Sequence, residues 1–354
     1  MFTGTAQPFF KYSSGMVLAS GGTTAAKTWQ FTVPTTVTSF VFTVYVTTQI
    51  LGTQVSPLLL YVVNLGTTVS SIQVYGAGSN GTVAPLGTIA GTNTGLLAPY
   101  GIVVDGAGNI YVANAGFTGT NGLDITIYAA GMYGNVAPAG AIPVSEGPVG
   151  MARDGAGNLY VTTGEPGIEV YGSGPSGYTL TATITGAATG LYEEPGGIAV
   201  AGSNIYATNQ ATFFNSGVTS EGPSVTVYAT AGLSGTVNLA PTDTIVGGST
   251  DLVLPVGIAV DAAGNIYVAN FEGNTITVYA AGANGNATPM AVIGGDSTGL
   301  SGPFGIALDG AGDIYVSNSD NNTITVYPAG AKGDVVPTAT IKGTGLSNPL
   351  YIAF

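Results

Sequence analysis

The chain has 354 residues, of which 57 are glycine, 19 are proline and 45% are hydrophobic, a composition too apolar for a disordered chain. Only 6% of the residues are charged, with 18 acids against 5 bases, and this balance excludes the clustered lysines and arginines that nucleic-acid binding requires. Because cysteine and histidine are both absent, disulfides, thiolate zinc sites and histidine-based acid–base catalysis are excluded as well.

The first element in chain order is a segment of about 55 residues that we call the N-terminal arm (residues 1–55). Apolar and polar side chains alternate along two stretches of it, and the apolar ones are Trp29, Phe31 and Val33, then Phe40, Phe42 and Val44. This period of two predicts a pair of β-strands. The arm resembles the closing strands of Ig-like or adhesin-like β-sandwich domains in secreted bacterial proteins.

A lone β-hairpin is marginal in water, so the apolar face of the arm needs cover. Two interpretations follow. The arm packs on the rest of its own chain, or it adds a strand to a neighbouring molecule and builds an oligomer or a filament.

A sequence repeat occupies residues 56–354. Five segments share the pattern Pro-x-Gly-Ile-Ala-Val-Asp, and they begin at Pro99, Pro148, Pro195, Pro255 and Pro303. Their spacing of 47 to 60 residues fits the blades of a β-propeller. Each segment, strand A, is followed by a glycine-containing turn and then by three further strands, B, C and D, of which B ends in a motif such as Ile-Tyr-Val-Ala-Asn.

The number of blades follows from the recurring tyrosines. Strands B and C each carry a tyrosine in six copies, whereas only five complete A strands precede them. The missing copy is at the end of the chain, where Pro349–Phe354 matches strand A and then stops. We therefore predict an all-β fold, a six-bladed propeller in which the C-terminal strand pairs with residues 58–64 and closes the ring. The longest apolar stretch, Pro57–Val63, is too short to cross a bilayer, so no transmembrane segment is expected.

The full phrase Pro-x-Gly-Ile-Ala-Val-Asp-x-x-Gly-Asn-Ile-Tyr-Val-Ala-Asn resembles the NHL-repeat family of β-propellers, over residues of about 58–354. That resemblance implies the same six-bladed fold. Family members commonly carry a basic residue before strand C, and some bind nucleic acid or phosphate. Threonine or another neutral residue stands there in this chain, so we expect no nucleic-acid partner.

Two sets of polar residues recur at the ends of strands. An aspartate starts most of the A–B turns, where it is expected to accept hydrogen bonds from its own turn, with metal binding as the alternative. An asparagine ends most of the B strands, where we expect either hydrogen bonds within and between blades or contact with a ligand. The candidate ligand-binding asparagines are Asn114, Asn209, Asn270 and Asn318.

The B–C and D–A loops lie together on one face of a propeller, and most of the acids fall in these loops. The candidate metal ligands there are Glu165, Glu221, Glu272 and Asp320. An acidic face of this kind favours Ca²⁺ or a cationic partner, and its alternative role is a solvated, solubilising surface. The longest B–C insert, Gln210–Gly222, adds Phe213 and Phe214 as candidate ligand contacts.

These features favour a non-enzymatic, secreted or cell-surface propeller of bacterial type. We expect it to be a structural or adhesive unit that associates with itself through the arm. One alternative is an enzyme that resembles the Ca²⁺-dependent lactonase and lyase propellers. The other is a carbohydrate- or peptide-binding module that uses Phe213, Phe214 and Tyr100. The only cofactor that any of these hypotheses calls for is Ca²⁺.

Overall fold

The structure, a computed structural model, describes residues 58–66, 69–116, 124–175, 177–192, 195–210 and 222–354. These residues belong to one compact unit, Leu58–Phe354, and fold into six sheets whose four blade strands are antiparallel. The predicted all-β, six-bladed propeller is therefore confirmed. No helix in this part of the chain is long and apolar enough to span a membrane. The N-terminal arm, with all six of its named apolar residues, lies outside the described residues.

Within each blade the strands follow one another from the central axis outward. Those of blades 1 to 3 are β25 (Pro349–Ala353), β1 (Leu59–Asn64), β2 (Ser71–Gly76) and β3 (Gly87–Ala90); β4 (Pro99–Val104), β5 (Ile110–Asn114), β6 (Asp124–Tyr128) and β7 (Gly140–Pro143); and β8 (Pro148–Arg153), β9 (Leu159–Thr163), β10 (Gly167–Gly174) and β11 (Gly177–Thr185). Those of blades 4 to 6 are β12 (Pro195–Ala201), β13 (Asn204–Asn209), β14 (Ser224–Ala229) and β16 (Asp243–Val246); β17 (Pro255–Val260), β18 (Ile266–Asn270), β19 (Thr275–Tyr279) and β20 (Ala291–Ile293); and β21 (Pro303–Leu308), β22 (Ile314–Asn318), β23 (Thr323–Tyr327) and β24 (Ala339–Ile341). A short strand in the C–D connection of blade 4, β15 (Gly235–Val237), pairs with blade 3.

The ring closes as the sequence predicts. Strand β25 pairs antiparallel with β1, with Val62 opposite Ile352 and Asn64 opposite Pro349. The last strand of the chain thus becomes strand A of the first blade, so that all six blades have four strands.

The hydrophobic core consists of six layers, each between two adjacent blades. The largest side chains in these layers are the strand C tyrosines, which include Tyr128, Tyr228 and Tyr327. The hydroxyl of Tyr128 donates to the Thr94 carbonyl at 2.6 Å, in the loop that leads into the same blade. Burial raises the pKa of these three tyrosines to about 12, so their hydroxyls stay protonated as donors.

The turn aspartates have the structural role that the sequence predicts. In the A–B turn of blade 5, Asp261 Oδ1 accepts hydrogen bonds from the backbone amides of Ala263 and Asn265, and Oδ2 accepts one from the Asn265 side chain. The same arrangement recurs at Asp105 and Asp154. Partial burial by itself would raise the pKa of these three carboxyls, but the hydrogen bonds outweigh it and the pKa of each is lowered.

Adjacent blades are also joined by backbone hydrogen bonds at their outer edges, which we call the edge bridges. At the junction of blades 5 and 6, Gly333 from the C–D connection donates to the Val292 carbonyl at 2.6 Å and accepts from the Gly294 amide at 3.2 Å. Similar bridges join blades 6 and 1, 1 and 2, and 4 and 5, and the parallel pairing of β15 with β11 joins blades 3 and 4. Among the described residues, the junction of blades 2 and 3 is the one without such a bridge.

Candidate functional site

A cavity of about 330 Å³ opens at the axis of the propeller, where the A strands begin and the B strands end. We call it the axial cavity. Its lining combines four aromatic rings with small and apolar residues and one amide, all of them uncharged: Tyr100, Ala115, Gly147, Val149, Gly164, Pro195, Gln210, Leu254, Val256, Phe271, Phe304 and Tyr351. This is the kind of concave, mostly apolar surface with a few polar groups at which small ligands bind.

The second residue of the A strands forms much of the wall. Tyr100, Val149, Val256 and Phe304 each follow the proline that opens an A strand. The register is the same in every blade, since this proline lies opposite the last residue of strand B, as Pro303 does opposite Asn318. The repeat therefore places one variable side chain per blade at the mouth of the channel.

The third residue of the A strands explains why neighbouring A strands lie so close together around the axis. It is glycine in blades 2 to 6, and a Cβ at Gly257 would lie 2.2 Å from the Phe304 carbonyl oxygen of the next blade. The equivalent distance is 2.6 Å from Gly101 to the Val149 oxygen. Such distances are shorter than any van der Waals contact, so only glycine allows neighbouring A strands to approach this closely.

Hydroxyl groups of the B strands fix the positions of the A strands. Thr208 Oγ1 donates to the Val256 carbonyl of the next blade at 2.7 Å and accepts from the Gly197 amide of its own blade at 2.8 Å. Thr162 and Ser317 make the equivalent pair of bonds. Strand A has a β-bulge, and these bonds satisfy the backbone groups that the bulge leaves without a partner in strand B. The strands that surround the cavity are therefore held in fixed positions.

Blade 1 departs from the repeat in a way that shapes the cavity. Tyr351 stands at the position that is glycine in the other five blades. Its ring meets Phe304 at a centroid distance of 5.2 Å and an interplanar angle of 85°. The Tyr351 hydroxyl oxygen is enclosed and has no hydrogen-bond partner. Burial first, and the nearby Tyr100 second, raise the pKa of Tyr351, so the group is uncharged at neutral pH.

Phe304 is the centre of the aromatic wall. Besides Tyr351, it contacts Phe271 at 6.2 Å with an interplanar angle of 89° and Tyr100 at 6.3 Å with an angle of 51°. All four side chains are partly exposed. The Phe271 and Tyr351 pairs are edge to face, a favoured arrangement of aromatic rings, and the Tyr100 pair is tilted, so the rings lie in different planes around the cavity.

The strand-end asparagines lie beneath this surface and are engaged within their own blades. Asn270 is fully buried, its amide group donates to Thr277 Oγ1 at 3.1 Å, and its oxygen accepts from the Val253 amide at 3.1 Å. Asn114 and Asn318 make the same bonds, and Asn209 donates to Thr226 Oγ1. The hydrogen-bonding interpretation is thus observed, while ligand binding by these asparagines stays a prediction.

The candidate metal ligands are spread around the same face. Glu165, Glu272 and Asp320 are exposed and follow strand B in blades 3, 5 and 6, while Glu221 lies outside the described residues. Among the residues that the structure describes, no three acidic side chains come together as a metal site. Phe213 and Phe214 also lie outside the described residues, so calcium binding and ligand contact by these residues stay predictions.

Sequence reasoning anticipated only one residue of the aromatic wall, Tyr100. It missed Phe271, Phe304 and Tyr351. The signal that could have found them is departure from the repeat, because each places a large ring where most other blades have a smaller residue, and the repeat already implies that these positions meet at the axis.

Comparison with known proteins supports the fold. The NHL repeat family matches residues 252–279, which contain strands A, B and C of blade 5. No curated protein sequence matches the chain. Among solved structures, a protein of unknown function from Bacteroides caccae superposes with a TM-score of 0.58 at 10% identity, over 83% of this chain and 98% of that one.

Two further structures are named for their activity. The periplasmic gluconolactonase of Pseudomonas aeruginosa has a TM-score of 0.53 at 14% identity, over 83% of this chain and 98% of its own. A streptogramin B lyase gives 0.49 at 13% identity, over 83% and 87%. At such low identity the gluconolactonase and the Bacteroides protein show a shared fold, and fold alone does not carry function. This chain is thus a six-bladed β-propeller in which residues 252–279, in blade 5, match the NHL repeat.

Proposed function

We propose that this chain is a non-enzymatic, secreted or cell-surface propeller that acts as a structural or adhesive unit and works by binding. The observation that carries the proposal is the axial cavity, an open concave site with four aromatic rings and an uncharged lining. Such a surface recognises a ligand through ring faces and shape.

The chemistry of the cavity favours binding over catalysis. The ionisable groups of its lining are two tyrosines, and the pKa of Tyr351 is raised, so Tyr351 is neither a base nor a nucleophile near neutral pH. Gln210 adds an amide that can orient a ligand. The glycine and hydroxyl contacts that hold the A strands make the site preformed, which lowers the entropic cost of binding.

Self-association belongs to the same proposal and rests on the sequence of the N-terminal arm. A charged fraction of only 6% gives weak repulsion between copies, which favours close packing. The alternating apolar residues Trp29 to Val33 and Phe40 to Val44 supply two strands that can pair with a neighbour.

The arm is tested by light scattering on the full chain and on a variant that lacks residues 1–55. We expect the full chain to form oligomers or filaments and the truncated propeller to be monomeric, with the same far-UV circular dichroism per strand residue. Equal assembly by a folded truncated protein would refute self-association through the arm.

The non-enzymatic role is tested by incubating the full chain with lactones and aryl esters, with and without Ca²⁺. No turnover above the rate with the heat-denatured protein is expected. Calcium-dependent turnover would refute the proposal in favour of a lactonase-like enzyme.

A further inference from the structure

We propose that the axial cavity binds an organic cation, an alkylammonium or guanidinium group carried by a small amine or by a basic side chain of a partner. The inference deepens the proposed binding function and rests on it. It is drawn from the aromatic wall, from the carboxylates around the mouth, and from the unpaired hydroxyl at the wall.

The aromatic wall supplies the first reason. Tyr100, Phe271, Phe304 and Tyr351 surround one space in different planes, with Phe304 within 5.2 to 6.3 Å of each of the other three ring centroids. The face of an aromatic ring carries negative potential, and a cation within about 6 Å of the ring centre is attracted to it. Because these rings are partly buried, the attraction is screened less than at an open surface.

The carboxylates around the mouth supply the second reason. Three exposed glutamates are direct chain neighbours of lining residues: Glu146 precedes Gly147, Glu165 follows Gly164, and Glu272 follows Phe271. Adjacent Cα atoms are about 3.8 Å apart, so the backbone of each glutamate lies at the rim of the cavity, and we infer that the exposed carboxylates contribute negative charge to this face.

Little positive charge opposes these carboxylates. The bases of the described residues are Arg153, Lys332 and Lys342, and none of them lines the cavity. Arg153 lies at the far end of β8, whereas the start of that strand, at Val149, contributes to the mouth. The potential at the mouth is therefore negative and attracts cations from solution.

The hydroxyl of Tyr351 supplies the third reason. It is the enclosed polar atom of the lining that lacks a hydrogen-bond partner, and a buried polar group without a partner lowers stability. The oxygen is enclosed as the ring stands, so a ligand N–H would give it the donor it lacks once the Tyr351 ring turns toward the cavity.

These features discriminate against other ligands. An anion would meet the rim glutamates and the negative ring faces without a countercharge in the lining. A calcium ion needs several oxygen ligands at about 2.3–2.6 Å, whereas the lining presents carbon rings and small apolar groups. A neutral apolar ligand would fit the walls but would gain nothing from the acidic rim.

The test is isothermal titration of the full chain with matched compounds. N-acetyl-lysine methylamide and N-acetyl-arginine methylamide carry the cation, and N-acetyl-norleucine methylamide is the neutral counterpart of the lysine compound. We expect the two cations to bind at least about tenfold more tightly than norleucine, the effect of a partly desolvated cation–π contact. Butylamine is the probe for a free amine, since equal affinity for butylamine and the lysine compound assigns the site to small amines, and tighter binding of the lysine compound assigns it to protein side chains.

Variants locate the site. Phe304→Leu keeps an apolar side chain but removes the central ring, and we expect about a tenfold loss of lysine affinity, with Phe271→Leu as a second variant if the first lowers the melting temperature. Glu272→Gln should weaken binding about twofold at low salt and have no effect at high salt, because an exposed carboxylate is screened. Asp296→Asn removes the same charge from an exposed loop position outside the lining and is the matched control.

The outcomes separate the two levels of the proposal. If norleucine binds as tightly as lysine and Phe304→Leu weakens both, the cavity binds ligands but the cation is refuted. If lysine binds equally well to Phe304→Leu and Phe271→Leu, the site is elsewhere and the inference fails. If none of the compounds binds, the inference is overturned, while the light-scattering test of the arm still decides the structural role.

Discussion

The close packing of strand A of blade 5 against strand A of blade 6 gives the most quantitative prediction, for the substitution Gly257→Ala. The added Cβ would lie 2.2 Å from the Phe304 carbonyl oxygen, 3.1 Å from the Ile306 amide nitrogen and 3.3 Å from the Gly305 Cα. All three atoms belong to the backbone of β21, so no side chain can rotate away. Strand β17 must move from β21 by about 1 Å to restore an ordinary contact.

The expected cost follows from two opposing terms. Overpacking that displaces backbone costs about 1–3 kcal/mol and occasionally more, and a cost of about 3–4 kcal/mol applies to Gly257→Ala because two strands of adjacent blades must separate. Replacing glycine by alanine also restricts the unfolded chain, which stabilises the fold by about 0.4–1 kcal/mol. The net destabilisation is about 2–3.6 kcal/mol. A domain of about 300 residues has an unfolding entropy of about 0.6 kcal/mol per kelvin, so the melting temperature should fall by about 3–6 °C.

Thermal unfolding followed by circular dichroism and by calorimetry measures this change. Gly310→Ala is the matched control, because no atom lies within 4 Å of the Cβ position at Gly310, in the A–B turn of blade 6. The control should melt within about 1 °C of the parent protein. Equal melting temperatures for the two variants would refute the conclusion that the approach of adjacent A strands requires glycine.

Three further predictions concern polar groups. Asn270→Ala removes the hydrogen-bond donor of the fully buried Thr277 hydroxyl and the acceptor of the amide of Val253, an exposed residue. A loss of about 1–3 kcal/mol is expected in guanidinium unfolding, and a smaller loss than about 0.5 kcal/mol would contradict it. Burial raises the pKa of Asp124 despite the hydrogen bond from Asn114, so the charged form opposes folding, and Asp124→Thr should raise the melting temperature by about 1–3 °C at pH 7 and by less at pH 3. Hydrogen bonds lower the pKa of the three turn aspartates, so the stability that these carboxylates contribute is complete above the ordinary pKa of 3.8 and is lost as the pH falls through the lowered values. These carboxyls should therefore contribute no loss of stability between pH 7 and about pH 4. Melting temperatures of the corresponding Asp→Asn variants across this pH range measure the contribution.

The fold follows from the sequence because the repeat encodes it several times. The A-strand pattern, its glycine and the B-strand tyrosine recur in register, so that the unmatched Pro349–Phe354 segment could be assigned to blade 1. Each copy of the repeat predicts the same strand lengths and the same turn residues. The pairing of β25 with β1, across nearly the whole described chain, needed only the count of A strands.

The candidate site could not be predicted in the same way. A repeat reveals what its copies share, whereas a site at the axis is formed by the residues in which the copies differ. Phe271, Phe304 and Tyr351 are unremarkable as single residues, and their convergence depends on the ring geometry that brings successive A strands within contact distance. The acids stand out because charge is rare in this chain, yet the rings define the cavity.

Blade 3 shows how one departure from the repeat requires others. Its entry loop, between β7 and β8, is shorter than the corresponding loops, and the strand C tyrosine finds a new acceptor, since Tyr171 donates to Glu169 Oε2 at 2.5 Å. Strands β10 and β11 form a tight hairpin that leaves the edge of β7 without a bridge. In blades 1, 4, 5 and 6 an isoleucine of strand D takes part in the edge bridge, and the residue after it donates its backbone amide to the neighbouring blade. In β7 the equivalent residue is Pro143, which has no amide hydrogen, so the absence of a bridge leaves no donor unpaired there. The junction is joined instead by side chains, among them Tyr111 and Tyr178, whose rings meet edge to face at 5.8 Å. Blades 2 and 3 are thus held by packing where their neighbours also share backbone hydrogen bonds, so the ring tolerates an irregular blade as long as each lost bond is either replaced or removed together with its donor.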